Sequence, residues 1–325
     1  MKPNNNMVPQ KPRFSVAITT PQYQKLISNT LSDPKRASRF IASITSAVAI
    51  NPALQECDAG TILAGALLGE SLNLSPSPQL GQYYLVPFEC KLKGDDGKPI
   101  YLLDEQGNRM KDKRGYYMVA TEKRAQFVLG YKGYIQMSLR SGSYSDLDTR
   151  VIKEGEYLGR DPNTGKPLFH FIEDDDQWES LPVVGYMAYF EYLNGFRKTM
   201  YWSKGKMLNH ADQYSPAFSA KNYEKLQNGE IPDNELWKYS SFWYKDFDGM
   251  ALKTMLRQLV SKWGIMSTDM QTAIEKDATT QSISTKGNVI GLPEDPAPHD
   301  DIIDPDTLPS SAPPPAAEKV NLNDL

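Results

Sequence analysis

The sequence predicts an α+β protein: an antiparallel β-sheet with packed helices in a β-β-β-α type core, a helical N-terminal region, and a disordered acidic C-terminal tail. Three observations predict it. Apolar residues recur at helical spacing before residue 73 and again after residue 240. Runs rich in aromatic and β-branched residues fill the middle, and Leu193-Asn194-Gly195-Phe196 signals a hairpin between two of them. The order of helices, then strands with one embedded helix, then helices is not the alternation that a parallel βαβ sheet requires.

Residues 1–20 read as a flexible polar arm, and a first helical pattern runs from Pro21 to Ile50. Its later part puts Phe40, Ile41, Ile44, Ala47 and Val48 on one face, and Asn51-Pro52 ends it. Asp58 is the expected N-cap of a second helix, whose apolar stripe is Ile62, Leu63, Ala66, Leu67 and Leu72. QYYLVPFECKL then has strand composition, with Pro87 marking an edge or a bend. A polar stretch from Lys91 to Tyr116 carries two hairpin-like turns, DDGKP and EQGN, and seven cations: Lys91, Lys93, Lys98, Arg109, Lys111, Lys113 and Arg114.

TEKRAQFVLG is a strand with Lys123 and Arg124 at its entrance. At GYKG it gives way to the short helix YKGYIQMSLR, with Gly142 at the C′ position. Strands are expected at Ser145–Glu154, Leu168–Ile172, Leu181–Leu193 and Gly195–Trp202, with Asn194-Gly195 in a type I′ turn. SKGKMLNHADQY reads as a helix, followed by a polar loop through Pro232. One long helix is then expected from Ser240 to Gly264, with Leu252, Leu256, Leu259 and Trp263 as its buried stripe. These elements group into one domain over residues 21–275, with a tail over 276–325.

The 325 residues, 40% hydrophobic and 10% aromatic, suffice for a substantial core. No apolar run approaches the roughly 18 residues of a membrane helix, and no apolar stretch of signal-peptide type follows the N-terminal cations. Cys57 and Cys90 alone make no disulfide framework, so a reducing interior is expected. The net charge of −4 is unevenly spread: residues 281–325 hold eight acids against Lys286 and Lys319, a net of −6, with eight prolines and no aromatic residue. Such a segment buries too little apolar surface to offset the entropy of ordering, and removing it leaves residues 1–280 at +2. Any anion-binding face must therefore be local.

Enzymatic constellations are hard to find. GRDPNTGKP, at 159–167, has five residues where a phosphate-binding P-loop has four, and Pro167 where the loop needs a hydroxyl, so it reads as a β-turn between strands. EDDD, at 173–176, offers carboxylates that point in different directions, without a second cluster to complete a magnesium site. His170, His210 and His299 lack partners at zinc spacing, and no nucleophile-base-acid set stands out. The expectation is a binding protein with no cofactor, not an enzyme.

The positive signal is cations and aromatics on well-defined elements. Lys132, Gln136 and Arg140 fall at i, i+4 and i+8 of the helix after GYKG, beside an apolar stripe of Ile135 and Leu139. Lys245, Lys253 and Arg257 form a second set on the last long helix. Trp202, Lys204 and Lys206 form a third at a strand end.

The segments LNLSPSPQLGQYYLVPF, AQFVLGYKGYIQMSLRSG and WYKDFDGMALKTMLRQL resemble, in order, the most recognisable stretches of the RecT family of phage-type single-stranded DNA annealing proteins. The resemblance spans roughly Leu54 to Trp263; the basic 91–119 stretch is longer than the family's usual connection. The family's G-Y-[RK]-G pattern falls on Gly130–Gly133, its R-S-G on Arg140–Gly142, and its K-T-x-x-R on Lys253, Thr254 and Arg257.

What the resemblance implies is ATP-independent binding of single-stranded DNA and annealing of complementary strands through a duplex intermediate. It further implies a homo-oligomer, ring or helical filament, that works in the bacterial cytoplasm beside a partner exonuclease and a host single-strand-binding protein. The DNA-binding residues expected are Lys123, Arg124, Tyr131, Lys132, Gln136, Arg140, Lys198, Trp202, Lys204, Lys206, Trp243, Lys245, Lys253 and Arg257. The cations weigh more than the aromatics, because strong stacking would trap the first strand. The alternatives are a coating protein that does not anneal and a metal-dependent nuclease acting through Glu173–Asp176.

Overall fold

The computed structural model describes residues 12–93, 98–215, 217–277, 279–284 and 289–291. It is α+β with antiparallel sheets. Its contacts divide the chain, expected as one domain over 21–275, into two compact units. The first runs to Val128 and resumes at Thr279; the second is Leu129–Ala278.

The first unit opens with helices α1 (Phe14–Ala17), α2 (Pro21–Leu31) and α3 (Pro34–Ile50). The single helix expected over 21–50 is thus two. Pro34 disfavours helical geometry at the preceding residue, Ser32 takes a left-handed φ of 57°, and the Asp33 side chain accepts the Lys35 N–H to start α3 afresh. Phe40, Ile44, Ala47 and Val48 are buried as read, with Ala37; Ile41 is half-buried.

Helix α4 (Ala59–Ser71) is capped by Asp58, whose carboxylate accepts the Thr61 N–H at 3.1 Å. Strands β1 (Tyr83–Lys91) and β2 (Thr121–Leu129) pair with each other. Glycines let α4 come close to its neighbours: a Cβ on Gly65 would lie 2.7 Å from Leu85 Cδ2.

Between β1 and β2 the basic stretch forms an arm with an internal threefold pattern. The Leu102 N–H donates to the Met118 carbonyl, Met118 to Met110, and Met110 to Leu102, at 2.9, 2.9 and 2.8 Å. One layer below, Leu92, Ala120 and Ile100 close a second ring of three. Eight residues separate Leu102, Met110 and Met118, and the same step relates Asp104 to Asp112 and Gly107 to Gly115. Each aspartate accepts backbone N–H groups two and four residues on, and each glycine has positive φ, so both turns are built alike. The Asp112–Gly115 turn adds a turn to the expected EQGN one, and most of DDGKP lies outside the described residues.

The second unit begins at Leu129 and continues as α5 (Tyr131–Arg140) and β3 (Tyr144–Lys153). Strand β4 (Tyr157–Arg160) and strand β5 (Pro167–Phe169) form a hairpin, and α6 (Asp175–Ser180) follows. GRDPNTGKP is its turn, with the Asp161 carboxylate on the Asn163 and Thr164 N–H groups. EDDD is a helix start: Asp174 accepts the Gln177 N–H.

Strands β6 (Val183–Tyr192) and β7 (Arg197–Ser203) complete a sheet of order β3-β6-β7. Their connection is not a type I′ turn. Of its residues only Gly195 has positive φ, and the Tyr192 N–H reaches the Phe196 carbonyl across a three-residue loop.

Next come α7 (Lys204–Tyr214), α8 (Ala220–Gln227) in what was read as loop, α9 (Phe242–Lys245), α10 (Phe247–Trp263) and α11 (Thr268–Lys276). The long helix expected over 240–264 is broken at Asp246, whose side chain caps α10 by accepting the Gly249 N–H. Tyr186, Ala188, Phe190 and Tyr192 of β6 are buried on the sheet face toward α10. There the Tyr186 hydroxyl donates to Asp248 at 2.5 Å and that of Tyr192 to the Trp263 carbonyl at 3.0 Å. Beyond α11 the chain returns to the first unit as β8 (Gln281–Ile283) and β9 (Val289–Gly291), inside the span read as tail. The tail reading for residues 292–325 lies outside the described residues.

One buried carboxylate holds the start of α5. Asp277, 2% exposed, accepts the Leu129 N–H at 2.8 Å and the Tyr134 hydroxyl at 3.0 Å, and faces the Arg257 guanidinium at 3.7 Å. It thereby ties the end of β2, the first turn of α5 and the middle of α10 to one point. Asp277→Ala is expected to cost about 3 kcal/mol in urea unfolding, because a half-buried guanidinium, a buried hydroxyl and a buried amide lose their acceptor together. A loss below about 1 kcal/mol would contradict this role. In the first unit, burial pushes the Cys57 thiol up to about 12. Native protein at pH 8 should therefore leave Cys57 unalkylated by iodoacetamide until denaturant is added; rapid native labelling would contradict the burial.

Candidate nucleic-acid interface

The helix α5 presents what its spacing predicts. Lys132, Gln136 and Arg140 are exposed along one side, and the Arg140 Nε–H donates to the Gln136 carbonyl at 3.2 Å. Gly133, Tyr134, Met137 and Ser138 form the buried side. Leu139, read with Ile135 as an apolar stripe beside the cations, is 52% exposed, while Ile135 is half-buried. The exposed face thus combines two cations, an amide and an aliphatic side chain. Tyr131 is half-buried, and its hydroxyl shares a 2.6 Å hydrogen bond with Thr149 of β3, so the ring packs against the sheet rather than standing free.

A second set lies on β7 and α7. Lys198 and Trp202 alternate onto the same sheet face, opposite Phe190 and Tyr186 of β6. The Lys198 Nζ sits 3.9 Å from the Trp263 ring centre, and the Lys206 Nζ sits 4.2 Å from that of Trp202, which also meets the His210 ring edge-on at 5.2 Å. Ser203 caps α7 by accepting the Lys206 N–H at 3.2 Å. Lys204 is the helix's first residue, where unpaired backbone N–H groups favour anions.

Other expected residues lie elsewhere. Trp243 is fully buried against Phe218 and Phe247, with ring centres 5.9 and 5.2 Å away, and offers no face to a base. Lys253 is 6% exposed and Arg257 turns to Asp277. The reason is packing: α10 meets β3, β6, β7, α5 and α9, so more than one of its sides is covered and its polar stripe is drawn inward. Lys245, the last residue of α9, is exposed. In the first unit, Lys123 pairs with Glu56 and holds that carboxyl below its ordinary range, while Arg124 is 9% exposed and paired with Glu122 at 3.1 Å.

Sequence reasoning missed Trp263, assigned to the buried stripe but 43% exposed with a lysine over it. It also missed the outer sheet face. There the Arg150 guanidinium lies 4.5 Å from the Phe171 ring centre, and Tyr157 stacks on Tyr201 at 4.2 Å. The two-residue alternation of β3 and β7 could have revealed it, since Arg150 and Tyr201 both sit opposite Met187 of β6.

No helix among the described residues is long and apolar enough to cross a membrane. The sequence model of the RecT family matches residues 38–289. An uncharacterized protein of Bacillus subtilis, YqaK, is 35% identical over 251 residues, covering 77% of this chain and 67% of its own length. Protein RecT of Escherichia coli is 24% identical over 260 residues, covering 80% of this chain and 78% of its own. The match takes in both units, from α3 to the start of β9, and includes every element that carries the exposed cation sets. The chain belongs to the RecT family.

Proposed function

We propose that this protein binds single-stranded DNA without ATP and anneals complementary strands, working as a homo-oligomer in phage-type recombination in the bacterial cytoplasm. The observation that carries the reading is the exposed α5 track of Lys132, Gln136 and Arg140 within a chain that matches the RecT family over residues 38–289. Annealing requires a grip on phosphates that leaves base edges free for a second strand to test. Lysine and arginine on a helix face provide such a grip, and the Lys198–Trp263 and Lys206–Trp202 pairs add cations held over aromatic faces.

So few cations on one subunit bind weakly. A row of subunits along one strand raises effective concentration at each step, which makes oligomerisation, as a ring or a filament, part of the mechanism. An exonuclease that supplies the single strand and a host single-strand-binding protein that surrenders it are the partners this activity calls for.

The test mixes complementary labelled oligonucleotides with the full-length protein, without ATP, with and without magnesium. Pairing faster than the spontaneous rate in both conditions is expected. Tight binding without acceleration would reduce the protein to a coating protein, and shortened strands would indicate a nuclease. Replacing Lys132 and Arg140 by Ala should weaken binding and lower the slope of log affinity against log salt by about 1.4, from roughly 0.7 per phosphate contact. A folded double variant with unchanged affinity and slope would remove α5 from the interface.

A further inference from the structure

The arm between β1 and β2 has no role in the reading above, yet its surface is unlike ordinary loop. Tyr101, Arg109 and Tyr117, eight residues apart, occupy equivalent positions on its three runs and meet on one side. The Arg109 guanidinium lies 4.3 Å from the Tyr101 ring centre and 5.8 Å from that of Tyr117, and the two rings pack edge to face at 5.9 Å. Lys111 Nζ sits 5.0 Å over the other part of this cluster, at Tyr117. Tyr116, the next residue before Tyr117, is 70% exposed, and among the described residues no other ring packs on it.

Residues 98–119 hold five cations, Lys98, Arg109, Lys111, Lys113 and Arg114, against three acids. Two of those acids, Asp104 and Asp112, are directed at the turn amides. The two rings of backbone hydrogen bonds hold the arm in shape although it has little core of its own, with Ile100, Leu103 and Met118 each more than a third exposed.

We propose that this arm is a second contact for single-stranded polynucleotide, in which Arg109, Lys111 and Lys113 meet phosphates and Tyr116 stacks on a base. The inference rests on the reading of the chain as a single-stranded DNA binder. Cations seated on aromatic faces keep their N–H edges turned outward for phosphate oxygens, and an exposed phenol ring offers a π-face that any base can use. An acidic peptide would satisfy the charges but leave Tyr116 without a partner, which favours nucleic acid. The Asp112–Gly115 turn, whose aspartate accepts the Arg114 and Tyr116 N–H groups, holds Lys113 and Tyr116 at one end of the arm.

The test uses the wild-type, full-length protein with oligo-dT. Lysines are labelled with an amine-reactive acetylating reagent with and without DNA, and read by mass spectrometry. Lys111 and Lys113 are expected to be protected at least threefold. Protection of Lys132 with none at Lys111 and Lys113 would overturn the arm's role while leaving the proposed function intact. Absence of any binding would sink both.

A synthetic peptide of residues 292–325 that protects the arm lysines where oligo-dT does not would overturn the assignment in favour of an acidic segment. As an independent readout, joint replacement of Arg109, Lys111 and Lys113 by Gln should lower the salt slope by about 2, and Tyr116→Ala should weaken binding about five-fold. Unchanged slope and affinity in these variants would also overturn the proposal.

Discussion

The second unit depends on a single carboxylate. Asp277 lies just past α11, 148 residues beyond the Leu129 N–H it accepts, and joins that amide to Tyr134 and Arg257. A strand that turns straight into a helix leaves the first helical amides and the last strand amide in need of acceptors. Here the Leu129 amide finds one in a buried anion, and the anion is tolerated because a guanidinium, a phenol and a backbone amide surround it. The placement of the first turn of α5 within the second unit, and hence the line along which Lys132, Gln136 and Arg140 are displayed, follows from that arrangement.

This division of labour explains why residues of one motif do different work. Arg257 belongs to the K-T-x-x-R pattern and is a cation, but it faces Asp277 and holds the scaffold; Lys253 of the same pattern is buried. Lys132 and Arg140, by contrast, are exposed on α5, and Lys198 and Lys206 ride over tryptophan rings at β7 and α7. On the proposed function, the buried set orients and the exposed set binds. Exposed cations held over aromatic faces also lose less side-chain freedom on meeting a phosphate than free ones would.

Much of this was legible in the sequence, for reasons that differ by element. The α5 track could be read because four-residue spacing on a short helix dictates a face whatever surrounds it. The caps at Asp58 and the turn at GRDPNTGKP were legible because their chemistry is local. Lys253 and Trp263 were misplaced because burial on α10 depends on five partner elements, and Trp243, on α9, because Phe218 and Phe247 close over it. Asp277 gave no local signal at all. The arm's eight-residue step was present as Leu-x-Asp-x-x-Gly at 102–107, with Met in place of Leu at 110–115. Each turn taken alone reads as a local hairpin, and only the hydrogen bonding among all three runs makes the step a repeat.

The central claim is that DNA runs along the face of α5 which the Asp277 network orients. Photocrosslinking of full-length protein to oligo-dT containing 4-thiothymidine, with crosslinked peptides identified by mass spectrometry, tests it most directly. Crosslinks within residues 131–142 and 198–206 are predicted. Efficient crosslinking confined to other segments, with none in these two, would contradict it.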